Sequence, residues 1–236
     1  MSAPHVSALK DVQLIAPSAV RLGDTVLLGC RWSLEHNETL YSVKWYRGRQ
    51  EFFSYLPKEY PFTRIFPQPG IDVSRSSSHQ VVLRDATRAL AGRFRCEVSA
   101  DAPSFHTQVR SAFIHVVELP PDRPIIKAEK GWYASGDSLR AQCSSPPADP
   151  PANLTWLLNG RDVSFYFTFI YQLSFMVRPD SFERGQLRLT CVSSVHSVYN
   201  ERAELVINEE RPQIASVLGT RDSATCEYLV YLCRHE

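Results

Sequence analysis

The residues most able to do chemistry in this chain of 236 are its six cysteines and seven histidines. Close Cys and His pairs hold zinc, a Cys or Ser beside a His makes a nucleophile, and widely spaced cysteines in an oxidising compartment form disulfides. Spacing decides among these. No two cysteines form a CxxC pair, and no His-x3-5-His pair follows any of them, so the pattern argues against a metal site. His79, His106 and His196 could in principle join a serine in a triad, but nothing in their spacing singles them out, and solvated loop histidines are commoner. GxGxxG, GxxxxGK, GxSxG and HExxH are absent. The expectation is a protein that is not an enzyme and carries no cofactor.

The cysteines fall instead as two wide pairs, Cys30 with Cys96 and Cys143 with Cys191, followed by a late, close pair, Cys226 and Cys233. Wide, even pairing points to disulfides and an extracellular setting. Between the members of each wide pair lies a tryptophan, Trp45 in the first and Trp156 in the second. That is the order of an immunoglobulin sandwich, where strands B and F carry the cysteines and a Trp of strand C packs on the bridge. The predicted fold is all-β, two tandem immunoglobulin-like sandwiches.

Elements that could position such cores are visible. Arg21-Leu22-Gly23-Asp24-Thr25 before Cys30 is echoed by Ala134-Ser135-Gly136-Asp137-Ser138 before Cys143. A Gly-Asp turn leads each time into an alternating strand. Proline fixes φ and withholds a donor, so the proline-rich 119–124 reads as a stiff linker. The expected division is a variable-type domain over 9–118, a second domain of constant or intermediate type over 125–208, and a disordered tail over 209–236. The interval from Trp45 to Cys96 leaves room for C′ and C″ strands, and that from Trp156 to Cys191 for fewer. Two residues before the second Cys, where antibody domains have Tyr, stand Phe94 and Leu189, so both corners should rest on apolar packing.

Composition bounds the partners. A formal net charge of +1 gives no broad field for nucleic acid or an anionic membrane, so partners are sought through local surfaces. Asn37 and Asn153 head Asn-x-Thr sequons, consistent with glycosylation on a secretory route. Residues 1–12 lack the apolar core of a signal segment, so a signal peptide is expected to be missing here, and no stretch reaches the ~20 apolar residues of a membrane span. A membrane anchor is not visible in the sequence.

Recognition on a variable-type sandwich belongs to a sheet face or the end loops. Alternation turns Lys44 and Tyr46 outward from strand C, beside whichever of Phe52, Phe53 and Tyr55 face out from C′. The loop after Cys96 carries Glu97 at its base and Phe105 at its far side, and Tyr60-Pro61-Phe62 lies on the C′ to C″ edge. Exposed aromatics of this kind are anchors that interfaces favour. Lys44, Tyr46, Phe53, Tyr55, Glu97 and Phe105 are the candidate partner contacts.

At these residues the sequence resembles the beaten path family of arthropod immunoglobulin-superfamily proteins. The resemblance is carried by Ala8-Leu9-Lys10-Asp11-Val12, Tyr41-Ser42-Val43-Lys44-Trp45-Tyr46, Glu51-Phe52-Phe53, Val81-Val82-Leu83-Arg84, Ala100-Asp101-Ala102-Pro103-Ser104-Phe105 and Ala152-Asn153-Leu154-Thr155-Trp156. It implies a secreted or membrane-anchored neuronal protein that binds Sidestep-family immunoglobulin proteins and guides axons, with the front sheet of the first domain as the contact. Residues 165–171 depart from it, standing where the family usually has a longer polar stretch. A soluble immune or glycan-binding role and homophilic adhesion are the rival readings.

Overall fold

The computed structural model describes residues 9–35, 38–163, 167–169 and 171–210, with only the backbone for 167–169. Asn37, Cys226, Cys233 and nearly all of the tail lie outside the described residues.

The first sandwich pairs a small back sheet with a broad front sheet. The back sheet runs β1 (Leu9–Ile15), β3 (Val26–Leu34), β7 (Gln80–Leu83). The front sheet runs β2 (Ala19–Arg21), β9 (Thr107–Val117), β8 (Gly92–Ala100), β4 (Leu40–Arg47), β5 (Gln50–Tyr55), β6 (Thr63–Ile65). Strands β5 and β6 occupy the C′ and C″ places of a variable-type domain. Alternation on β3 drives Val26, Leu28 and Cys30 into the core, where Trp45 and Phe94 are also fully buried. Cys30 is bonded to Cys96, and Trp45 sits directly opposite Cys96 in the β4–β8 register.

The second sandwich repeats this plan with fewer front strands. Its back sheet is β10 (Ile125–Ala128), β12 (Ser138–Ser144), β16 (Gln172–Met176), β15 (Phe167–Phe169). Its front sheet is β11 (Trp132–Tyr133), β18 (Tyr199–Glu209), β17 (Gln186–Val195), β13 (Asn153–Leu158), β14 (Arg161–Asp162). Cys143 is bonded to Cys191, and Trp156 lies opposite Cys191.

The Gly-Asp repeat makes one clamp in both halves. Gly23 and Gly136 hold φ of +84° and +98°, a region that side chains with a Cβ rarely adopt. Each glycine N–H then reaches across to the carbonyl of a residue beyond the next strands, Ala86 in one half and Val177 in the other, both at 2.8 Å. Ala86 and Val177 return the bond to Asp24 and Asp137 at 2.9 Å. The turn therefore closes the end of each sandwich.

A third, smaller apolar cluster joins the halves: Ala19, Val117 and Val195 are buried, with Leu119, Ala148, Ala152, Val198 and Tyr199 packed against them. Around it, Glu118 and Asp149 exchange two backbone hydrogen bonds of 2.8 and 3.0 Å, and the Tyr199 hydroxyl donates to the Asp122 carbonyl at 3.0 Å. Arg88 reaches both Glu118 and Asp149. The junction thus has its own packing in addition to the stiffness of its prolines. Tyr199→Phe should destabilise the pair by about 0.5 kcal/mol, a small drop in melting temperature by calorimetry, because it removes one hydrogen bond to the exposed Asp122 carbonyl.

Candidate interaction face

The outward side of the first domain's front sheet is set by register. Trp45 and Cys96 face in, so Lys44, Tyr46, Arg95 and Glu97 face out, with Lys44 opposite Glu97 and Tyr46 opposite Arg95. The Tyr46 hydroxyl donates to Glu97 Oε1 at 3.3 Å, and the Arg95 guanidinium lies over the Tyr46 ring, 5.3 Å from its centre. Burial first, then the negative charges of Glu97 and Glu51, push the Tyr46 pKa up to about 12, with Arg95 pulling the other way. The phenol therefore keeps its proton at any physiological pH and remains a donor. Arg95 was not singled out from the sequence. Its position two residues from Glu97 on one alternating strand was the available signal.

The aromatic wall expected on C′ is not there. A β-bulge lies where Trp45 pairs with Phe53 and the next residue, Tyr46, pairs with Glu51, leaving Phe52 as the extra residue. Phe52 and Phe53 consequently both point inward and are fully buried, Phe52 edge-on to Phe94 at 5.9 Å. Tyr55, opposite the buried Val43, is half-buried against the same core. Phe53 and Tyr55 are thus core residues and not contacts, because strict alternation fails at the bulge. The C′ position on the outer face is instead filled by Ser54, opposite Lys44 and buried.

The loop between β8 and β9 presents Phe105. The Phe105 N–H bonds the Asp101 carbonyl at 3.1 Å, Ala100 N–H bonds His106 O at 2.8 Å, and the Ser104 hydroxyl donates to Glu38 at 2.9 Å. Phe105 adopts φ of +52°, a strained region for a bulky side chain, yet it is 70% exposed. A large ring there adds nothing to the core. The loop base is tied by Lys58, whose ammonium donates to Asp101. That bond foremost, then the Ala102 N–H, hold the Asp101 carboxyl below the usual Asp range.

A depressed folded-state pKa contributes stability above the ordinary Asp value of ~3.9 that is lost as pH falls through the lower folded value. Protection of the Ala102 amide, measured against its intrinsic exchange rate at each pH, should therefore fall as pH drops below the ordinary Asp value of ~3.9 in the native chain. In Asp101→Asn it should be low throughout and lack that fall.

Elsewhere, Asn153 is exposed at the start of β13. The three histidines weighed for a triad sit apart: His79 stacks on Trp32 at 4.1 Å, His106 lies in the Phe105 loop, and His196 stacks on His115 at 4.4 Å across the junction. Among the described residues no group of three His, Cys, Asp or Glu side chains is arranged to hold a metal, and no helix is long and apolar enough to cross a membrane.

The crystal structure of murine CEACAM1b superimposes with a TM-score of 0.62 at 19% identity, over 85% of this chain and all of that one. Both halves are immunoglobulin-like sandwiches. No protein-family model matches the chain. Nephrin of Mus musculus is 27% identical over 143 residues, 56% of this chain, and nephrin of Homo sapiens 33% identical over 72 residues, 29% of this chain. The chain spans only 11% and 6% of those relatives' lengths. The proteins it is similar to are immunoglobulin-domain adhesion and receptor proteins, extracellular or at the cell surface, and not enzymes.

Proposed function

We propose that this chain is an extracellular, heterophilic recognition module that binds a Sidestep-type immunoglobulin protein, in axon guidance and the choice of synaptic partners. The observation that carries this reading is Phe105, exposed at a backbone conformation unsuited to it and set at the end of the sheet that displays Lys44, Tyr46, Arg95 and Glu97. An aromatic anchor beside a mixed-charge face is the composition of an interface hot spot. The resemblance to the beaten path family supports the partner class, and the likeness to cell-surface immunoglobulin proteins supports the setting. Partner contacts are Lys44, Tyr46, Glu97 and Phe105, with domain two as the stand. The exposed Asn153 and its sequon support glycosylation of that stand.

The test is a screen of this chain against all cell-surface immunoglobulin proteins of the same animal. Capture of a Sidestep-type ectodomain supports the reading. Capture of itself alone, with a dimer in the ultracentrifuge, would transfer it to homophilic adhesion.

A further inference from the structure

Five of the described arginines, Arg64, Arg88, Arg123, Arg140 and Arg188, each meet a carboxylate. On the lower front sheet of domain one, three arginines without such a partner line up along one face. Arg93 and Arg95 project outward from β8, and Arg21 from β2. Each is held by neutral groups only. Arg93 donates to the Ser111 hydroxyl, Arg95 to the Gly48 carbonyl while its guanidinium covers Tyr46, and Arg21 to the Val198 carbonyl across the junction. Among the described residues no carboxylate lies within ion-pair distance of any of the three.

Between these arginines two rings stand in a row on β9, tilted 51° to each other. Phe113, 47% exposed, lies 4.7 Å from His115, which stacks on His196 of domain two at 4.4 Å. In register, Arg95 stands opposite Ser111, Arg93 opposite Phe113, and Arg21 opposite Val117. Six residues of extended strand separate the ends, so the stripe is about 20 Å long. Its charge is spread along one strand direction, with planar rings between, and not gathered in a pocket.

We propose that this stripe binds a sulfated polysaccharide chain of the extracellular matrix. Guanidinium forks match sulfate oxygens bidentately, and uncancelled charge on a sheet raises the local concentration of a polyanion. The exposed Phe113 ring beside Arg93 suits the face of a pyranose unit. A narrow linear row fits an extended polymer with repeating charge better than the broad, apolar-centred footprint of a folded partner. The stripe meets the proposed protein-contact face at Arg95, which covers Tyr46, and otherwise runs along β9 away from Phe105, so heparin binding does not require the protein partner.

Heparin immobilised on a sensor surface is the probe. The native chain should be retained, with affinity falling as NaCl rises from 0.05 to 0.5 M on the order of the shortening Debye length. Arg21→Glu with Arg93→Glu, both at exposed positions, should weaken retention at least about tenfold while melting curves show both sandwiches still folded. Arg140→Glu and Phe105→Ala should leave heparin binding intact. Equal retention on desulfated heparin or on polyglutamate would overturn the assignment to sulfated glycan, the latter in favour of an acidic protein. Loss of no affinity in the double variant, or equal loss in Arg140→Glu, would overturn the site. A failed Sidestep screen leaves every one of these readouts unchanged.

Discussion

Cys96→Ser unfolds the first sandwich at ordinary temperatures while the second stays folded. The bridge from Cys30 to Cys96 spans 66 residues and is worth about 4 kcal/mol by restricting the unfolded chain. That is much of the 5–15 kcal/mol typical of a whole domain. The loss is compounded because Trp45 rests opposite Cys96 at the centre of the core, so the space left by the bridge opens where packing is tightest. Calorimetry should show the lower of two transitions collapse, and exchange protection should vanish on β3, β4 and β8 but persist on β12, β13 and β17. Unchanged protection of β8 would mean that apolar packing alone holds this sandwich.

Phe105→Ala combined with Tyr46→Ala weakens partner capture by about 30-fold or more, the scale of a single hot-spot loss of roughly 2 kcal/mol, without unfolding the domain. The two substitutions should differ in their cost to the fold. Phe105 contributes little to the interior, and alanine at φ of +52° is no worse than phenylalanine, so its melting temperature should hold. Tyr46 also donates to Glu97 and underlies Arg95, so its removal should cost about 1 kcal/mol of stability as well. Biolayer interferometry against the captured ectodomain, paired with melting curves, separates these effects. Full capture by the double variant would move the contact to another surface.

The core was legible in the sequence because it is written by spacing. Two wide cysteine pairs with an intervening Trp, and a Gly-Asp turn repeated before each first Cys, admit few folds. The outer face was legible only as far as alternation holds. Lys44, Tyr46 and Glu97 do lie on it, since β4 and β8 keep their period through those residues. Phe53 and Tyr55 do not, since one inserted residue in β5 reverses the parity of everything after it, and nothing in Glu51-Phe52-Phe53-Ser54-Tyr55 marks which residue is extra. The packed junction was likewise hidden: small apolar residues such as Ala19, Ala148 and Ala152 carry no periodic signal, and their meeting is a matter of tertiary placement.

That junction has a mechanical consequence. Were tension drawn across the two sandwiches, the load would fall first on the paired backbone bonds of Glu118 and Asp149 and on the Arg88 and Tyr199 ties beside them, which must all slip before the chain at 119–124 can lengthen. A pull across the two sandwiches would thus be resisted at one place, before any strand of either core is loaded to slip.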